Sequence, residues 1–242
     1  MGTTDVASPF QGMVTGPDEA RQLPAEYITA VGKVILSHCR NELAGAELFD
    51  EPAIALAGQP NEKYLACRIA MEEYGHHLKF TALARALGLP EQEGARHLSI
   101  FDLPMTNWTD FLVIKGLADL AEVVQMEDLL ACTYTPLRDL AAALMPEERF
   151  HTSFGQSRLR QAVKTEAGRA EVQASIDRIF PGLPAFFGRS KSANNQLFRR
   201  WGVKQRTNDE VRADWLERSR AFVEGDLGLR LPEVATTYPA EN

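Results

Sequence analysis

Apolar side chains recur every three to four residues along most of the chain, the spacing that buries one face of a helix. The first such stretch begins at Pro24 and continues through residues 27–46, and the second extends from about residue 61 to residue 87. Proline suits the first turn of a helix, and Gly88 followed by Pro90 is a common helix ending. The pattern therefore predicts two long amphipathic helices in this part of the chain.

Three stretches lack this periodicity. Residues 49–60 contain two prolines and a glycine, so we predict a loop between the first two helices. The connection over residues 88–107 is longer than a simple turn requires, and we expect it to be packed or functional. Residues 1–22 combine Gly, Pro, Thr and Asp, so we predict a mobile N-terminal arm, or one that orders on a partner.

A third helix is predicted from about Thr109 to Thr133, and a fourth from Thr135 to about Val163. In the fourth helix we expect Thr135 as the N-cap and Pro136 as the first helical residue. Pro146 lies inside this helix. Because an interior proline removes one hydrogen bond, the helix either bends or restarts there.

Beyond about residue 166 the predicted helices are shorter. One is expected over residues 168–179, and Thr207 with Glu210 forms a capping box that opens a last helix. No strand pattern competes with these helices. We therefore predict an all-α fold with a single domain over residues 23–242, made of a four-helix bundle and a C-terminal helical extension.

Composition narrows the function classes. The chain has 242 residues, of which 45% are hydrophobic, and its net charge of −7 argues against a nucleic-acid partner held by bulk electrostatics. It has no run of 18 apolar residues and no signal-peptide hydrophobic region, so we expect a cytoplasmic protein without a membrane partner. Cys39, Cys67 and Cys132 are predicted to pack as core residues, since an iron–sulfur cluster needs four cysteine ligands. The basic segment 188–206 is either a solvated face or a docking surface for phosphates or an acidic subunit.

A Glu-x-x-His turn occurs in the second predicted helix, at Glu73 and His76, and again in the fourth, at Glu148 and His151. Side chains three residues apart on a helix reach one point beside it, so each turn can offer a carboxylate and an imidazole to one metal ion. A single turn would be a weak signal. Two turns on two helices favour a metal-binding bundle.

Ferritin-like bundles hold a metal pair with two such helices and one carboxylate from each of two others. Glu42 and Asp119 lie at nearly equal distances upstream of Glu73 and Glu148, and we expect them to complete the set. Four carboxylates and two imidazoles suit a pair of iron or manganese ions, with iron favoured over structural zinc. The alternative is that these acids lie on the surface beside apolar stripes. The predicted ligands are Glu42, Glu73, His76, Asp119, Glu148 and His151.

Some neighbouring residues leave alternatives open. Glu122 lies three residues after Asp119 and can also face the bundle, although the matching distances favour Asp119. His38 lies one turn before Glu42 and either orients that ligand or is an ordinary helix-face histidine. His77 is expected to point away from the metals. The loop residue His97 is expected to be solvated.

Segments throughout the chain resemble the catalytic subunit of the bacterial phenylacetyl-CoA epoxidase family. The resemblance covers roughly residues 27–232. Its C-terminal segments hold no metal ligands, so they distinguish this family from ferritins and rubrerythrins better than the Glu-x-x-His turns do. The resembling segments are residues 38–45, 72–76, 134–136, 147–151, 186–188, 201–204, 207–212 and 227–232.

The resemblance implies a ferritin-like di-iron oxygenase that inserts one oxygen atom from O2 into the ring of an aryl-CoA thioester. It implies two iron ions on the predicted ligands, electrons from a separate flavin/iron–sulfur reductase, and an oligomer with a related ferritin-like structural subunit. Related benzoyl-CoA epoxidases use Asp at the third-helix ligand position, which fits Asp119. The chain departs from the family in a shorter N-terminus, which affects the expected subunit contacts, and in Pro146, which affects the expected pocket shape.

Three rival functions remain. The same oxygenase chemistry could act on a different acyl or carrier-bound substrate. An iron-storage or ferroxidase protein would form a hollow multimer and would need no substrate pocket. A noncatalytic scaffold subunit would have lost metal ligands, whereas all six predicted ligands are present here.

Overall fold

The computed structural model describes residue 10, residues 12–90 and residues 98–236, and these residues form helices joined by short connections. Within them the sole β pairing is an isolated bridge between Val14 and Tyr134, which confirms the predicted all-α fold. The α-helices are α1 (Pro17–Ala20), α2 (Ala25–Gly45), α3 (Glu51–Leu56), α4 (Pro60–Leu87), α5 (Trp108–Val113), α6 (Asp119–Leu129), α7 (Thr135–Ala162), α8 (Glu166–Ile179), α9 (Ala193–Arg200) and α10 (Asn208–Arg220). Three π-helical segments (Ala46–Asp50, Ile114–Ala118 and Ala221–Asp226) and two 3-10 segments (Ser99–Asp102 and Phe180–Phe187) adjoin them.

The predicted ferritin-like bundle is confirmed. Helix α2 packs along α4, α6 packs along α7, and α4 contacts α7 across the bundle. Helix α4 begins at a capping box formed by Gln59 and Glu62, and it ends at Gly88, whose φ of 73° lies in the left-handed region that glycine adopts easily. These end signals set the length of the helix that carries Glu73 and His76.

The predicted loop over residues 49–60 is wrong for residues 49–56. The chain continues from α2 through the π segment Ala46–Asp50 into α3, and only residues 57–59 connect α3 to α4. Pro52 lies in the first turn of α3, directly after the π segment, where an interrupted ladder of helical hydrogen bonds tolerates a residue without an N–H. The added helix places Asp50 fully inside the protein.

A second π segment, Ile114–Ala118, interrupts the predicted third helix just before Asp119. Helix α7 crosses it closely: a Cβ added to Gly155 would lie 2.4 Å from the backbone nitrogen of Gly116, so a side chain cannot fit there. Helix α7 continues through Pro146 without restarting.

The predicted arm over residues 1–22 is corrected for residues 12–22. The Val14 amide donates to the Thr133 carbonyl at 2.8 Å and the Val14 carbonyl accepts from the Thr135 amide at 2.9 Å, because the buried Val14 side chain holds the segment against the bundle. Helix α1 follows it. Residues 1–9, residue 11 and the loop residue His97 lie outside the described residues.

The C-terminal extension packs on the outside of the bundle. Trp215 of α10 is fully buried, and its indole N–H donates to the Leu117 carbonyl at 2.7 Å.

Cys39 and Cys132 are buried as predicted, whereas Cys67 is exposed because it lies on the outer face of α4. Among the described residues, every helix is too short or too polar to cross a lipid bilayer.

Candidate metal centre

The structure brings all six predicted ligands together in the middle of the bundle. Atoms of Glu42, Glu73, His76 and Glu148 lie within 4.8 Å of one another. A second group, formed by Glu73, Asp119 and His151, meets the same limit and shares Glu73 with the first. We call the half around Glu42 and His76 the Glu42 side, and the half around Asp119 and His151 the Asp119 side.

Imidazole and carboxylate atoms face each other at short distances on both sides. On the Glu42 side, the Nδ1 atom of His76 lies 2.9 Å from Glu148 Oε1 and 3.6 Å from Glu42 Oε2. On the Asp119 side, the Nδ1 atom of His151 lies 3.1 Å from Glu73 Oε1 and 4.0 Å from Asp119 Oδ2.

The chemistry of this donor set fits a pair of hard or borderline divalent cations. Both Nδ1 atoms and Glu148 Oε1 are buried without a well-aligned hydrogen bond, whereas Asp119 Oδ2 has the Lys115 ammonium as its partner at 3.0 Å. Burying polar atoms without partners costs free energy, and metal coordination would satisfy them. Four carboxylates with two imidazoles are the ligand types that iron or manganese accepts.

Several side chains of the cluster bind protons more strongly than they do in water, although at Glu73 the Lys115 ammonium and the two imidazoles outweigh burial and hold the pKa well below its usual value. Burial raises the pKa of Glu148 to about 8 and that of Asp119 to about 7. Burial lowers the pKa of His151, but the carboxylates of Glu72 and Glu73 outweigh burial and raise it to about 10. Protons therefore supply positive charge that bound metal ions would replace.

Asp119 and Glu122 have different neighbours. Asp119 groups with Glu73 and His151, whereas Glu122 groups with His38 and Glu42 on the other side, with 3.2 Å between Glu122 Oε1 and His38 Nδ1. His38 also lies 3.6 Å from Glu42 Oε1, which agrees with an orienting role for this histidine. The geometry favours Asp119 as the ligand on its side.

His77 makes no contact with the cluster among its described interactions. Its Nδ1 atom bonds the Cys39 carbonyl oxygen at 2.7 Å, between α2 and α4. This hydrogen bond gives His77 a structural role and agrees with the prediction that it points away from the metals.

Sequence reasoning missed two carboxylates that hold the histidines. Glu72 accepts a hydrogen bond from Nε2 of His151 at 2.8 Å, and Glu147 accepts one from Nε2 of His76 at 2.8 Å. Each acid precedes one Glu-x-x-His turn and holds the histidine of the other turn. This contact fixes the ring so that Nδ1 faces the cluster. The second glutamate that precedes each Glu-x-x-His turn was the signal in the sequence that could have revealed these two contacts.

Sequence reasoning also missed Lys115 and Asp50. The Lys115 ammonium is 3% exposed and lies 2.7 Å from Asp50 Oδ1, 3.0 Å from Asp119 Oδ2 and 3.4 Å from Glu73 Oε1. Burial lowers the pKa of Lys115, but these three acids outweigh burial and raise it well above its usual value. A permanent cation therefore lies inside the Asp119 side.

Two neighbouring cavities lie beside the cluster. The inner one, about 50 Å³, borders four of the predicted ligands and an apolar wall formed by Phe49, Ile100, Phe101, Ile114 and Phe186. The outer one, about 390 Å³, lies between α2, α6 and the C-terminal extension and is lined largely by polar side chains. Asn41, Glu122 and Phe186 border both cavities and mark their junction.

Comparison with known proteins agrees with this arrangement. The chain is 26% identical over 231 residues to one of the subunits of the 1,2-phenylacetyl-CoA epoxidase of Escherichia coli (strain K12), with 91% of this chain and 74% of that protein covered. Residues 13–242 match the model of the phenylacetic acid catabolic protein family, a range that includes all six predicted ligands and the C-terminal extension. The resemblance seen in the sequence is confirmed, and the chain belongs to the phenylacetic acid catabolic protein family.

Proposed function

We propose that this protein is the catalytic subunit of a di-iron oxygenase that inserts one oxygen atom from O2 into an aromatic acyl-CoA thioester. The observation that carries the proposal is the buried six-ligand cluster, four ligands of which border an inner cavity that has one apolar wall. Storage of iron needs no cavity of this kind. The name of the Escherichia coli relative supports the substrate class.

The two cavities differ in polarity as the two ends of such a substrate do. The inner cavity presents an apolar wall to the metal ligands, which suits an aromatic ring and excludes water once the cavity, now about 50 Å³, widens to admit the ring. The outer cavity contains the amines of Lys33 and Lys204 and the amides of Asn194 and Asn195, which suit a long polar carrier with phosphate groups. Lys204 and Lys33 are already held in place by hydrogen bonds to Gln125 at 2.6 Å and Asn194 at 2.7 Å.

The protein's own groups position ligands and hold protons. Glu72 and Glu147 keep the two imidazoles turned inward through their Nε2 atoms. Burial lowers the pKa of His38, but Glu122 and Glu42 outweigh it and raise the pKa to about 9, so His38 holds a proton between these carboxylates. A bound iron pair would supply the activation of O2, chemistry that no side chain provides.

The test is oxygenation of defined thioesters by iron-loaded, chemically reduced protein. The panel contains phenylacetyl-CoA, benzoyl-CoA, an aliphatic acyl-CoA and the matching pantetheine thioesters, and products are weighed after reaction with O2 or ¹⁸O2. We expect an aromatic acyl-CoA to gain one oxygen atom that carries the isotope. Transfer to the pantetheine or aliphatic substrates instead would favour the carrier-bound alternative, and ferrous oxidation without any oxygenated thioester would favour ferroxidase activity.

We also propose that a reductase and a related ferritin-like subunit complete the system. The sequence has no G-x-G-x-x-G loop for a dinucleotide and too few cysteines for a four-cysteine cluster. The isolated chain is therefore expected not to turn over with NADPH, and product formation from NADPH by this chain alone would contradict the proposal.

A further inference from the structure

The inner cavity is too small for the aromatic ring that the proposed function assigns to it. Its volume is about 50 Å³, whereas a cavity of roughly 150 Å³ is the size that holds one benzene ring in a protein interior. The outer cavity, with about 390 Å³, lies directly beside it. A side chain of the inner wall must therefore move before the ring can lie beside the metal ligands.

Most of the apolar wall of the inner cavity belongs to the core. Phe49, Ile100 and Ile114 are each at most 4% exposed, and close packing leaves such side chains little room to move. Phe101 and Phe186 are only partly buried and pack against that core. The Phe101 ring also contacts the Phe49 ring, with 5.6 Å between their centroids. The two partly buried rings are therefore the candidates for movement.

Phe186 differs from Phe101 in its position. Phe101 borders the inner cavity and not the outer one, whereas Phe186 borders both. The other residues at the junction, Asn41 and Glu122, are polar and lie on helices α2 and α6. The Phe186 ring is therefore the apolar group that separates the outer cavity from the inner one.

The backbone on both sides of Phe186 is held by Arg212, whose side chain is fully buried. The Arg212 guanidinium donates to the Pro184 carbonyl at 3.5 Å and to the Gly188 carbonyl. The next ring along the chain, Phe187, is buried in the core. Movement of the whole segment would break these contacts, whereas rotation of the Phe186 side chain to another staggered conformation would keep them.

We propose that the Phe186 side chain is a gate, which closes the inner cavity in this structure and rotates to let the aromatic ring of the substrate pass from the outer cavity to the metal ligands. The inference rests on the proposed function, because it takes the acyl group to be aromatic. A smaller side chain at this position leaves the junction open and a larger one obstructs it, so Phe186 controls which acyl groups enter and how fast.

The test follows binding of aminobenzoyl-CoA to the full chain by stopped-flow fluorescence, without O2 and both with and without ferrous iron. The aminobenzoyl group is a fluorescent aromatic acyl group whose emission rises when it passes from water into an apolar site. Acetyl-CoA has the same carrier without a ring, and its titration by calorimetry measures binding of the carrier alone. The variants are Phe186→Ala and Phe186→Trp, and the matched control is Phe101→Ala, which enlarges the inner cavity without changing the junction.

We expect two phases in the wild-type chain. Docking of the carrier gives a phase whose rate rises with thioester concentration, and entry of the ring gives a slower rise in emission whose rate reaches a limit. Phe186→Ala should make the slower phase at least about tenfold faster, and Phe186→Trp should slow or abolish it. Phe101→Ala should leave its rate within about twofold of the wild-type rate. Unchanged affinity for acetyl-CoA in all three variants would show that they fold and keep the carrier site.

A single concentration-dependent phase in the wild-type chain would overturn the gate. Equal acceleration by Phe186→Ala and Phe101→Ala, or an unchanged rate in both Phe186 variants, would overturn it as well. If neither thioester binds the wild-type chain, the gate fails together with the acyl-CoA substrate class of the proposed function. Gated binding of aminobenzoyl-CoA by a chain that oxygenates no thioester would support the gate and contradict the proposed oxygenation, so the two failures are distinguishable.

Discussion

The two sides of the cluster repeat each other in sequence but differ in what surrounds their carboxylates. On the Glu42 side, the neighbouring groups are His38 and Glu122, so positive charge there depends on imidazole and protons. On the Asp119 side, the Lys115 ammonium lies among the carboxylates of that side and Asp50. A fixed cation competes with a metal ion, whereas a proton can leave. We therefore expect the Glu42 side to bind its ion more tightly.

The largest effect is expected from removal of a ligand on the weaker side. Asp119→Ala should lose at least one iron ion and all oxygenation, because Asp119 and His151 belong only to that side. Glu122→Ala should keep both ions and at most slow the reaction, since changes beside a ligand typically cost about 10 to 100-fold. Iron analysis of the two variants distinguishes these outcomes. Loss of iron from Glu122→Ala but not from Asp119→Ala would show that Glu122 is the ligand.

Lys115→Met sharpens the comparison by removing the fixed cation. Without metal, three acids lose their shared partner, so the free energy of unfolding should fall by about 3 kcal/mol. With metal the loss should be smaller, because the ion supplies the missing charge. Denaturant unfolding with and without metal measures both values, with Lys63→Met as an exposed control. Equal losses of unfolding free energy with and without metal would count against a metal ion on the Asp119 side.

Metal affinity should fall as the pH falls. Burial raises the pKa of Glu148 to about 8 and of Asp119 to about 7, so both acids hold protons at pH 6 that a metal must displace. Each displaced proton weakens binding by about tenfold per pH unit below its pKa. Competition with a chelator at pH 6 and pH 8, corrected for the chelator's own protonation, measures this, and equal affinities would contradict it.

The smallest effects are expected from the carboxylates behind the histidines. Glu72→Ala should lower iron affinity by about tenfold, since it frees the His151 ring to turn. Glu147 has 35% of its side-chain surface exposed, against 14% for Glu72, so water can partly replace it. Glu147→Ala should therefore cost less, and Glu217→Ala, on the exposed side of α10, should cost nothing. A larger loss of iron affinity for Glu147→Ala than for Glu72→Ala would mean that burial of the carboxylate does not determine its contribution to iron binding.

The sequence allowed prediction of what depends on periodicity and local end signals. The bounds of α4 and α7 agree with prediction to within about a residue, because Pro60 and Gly88 mark the two ends of α4 and Pro136 marks the start of α7. The six predicted ligands come together because they follow the same helical spacing that buries the apolar residues.

The residues that sequence reasoning missed depend on features that leave no periodic trace. Asp50 lies in a π segment followed by Pro52, which looked like part of a loop, and Lys115 lies in the π segment before Asp119. An extra residue in a helical turn changes which side chains face inward, and apolar spacing does not reveal where it occurs. Cys67 was predicted inside because small residues are hard to assign to a face by hydrophobicity alone.

The most direct measurement of the central claim is the iron content of the chain after anaerobic loading with ferrous iron and removal of free metal. The buried cluster predicts two iron ions per chain, and the fixed cation near Asp119 predicts that the second binds more weakly than the first. No bound iron after this loading, or one zinc ion per chain in protein grown in iron-rich medium, would contradict it.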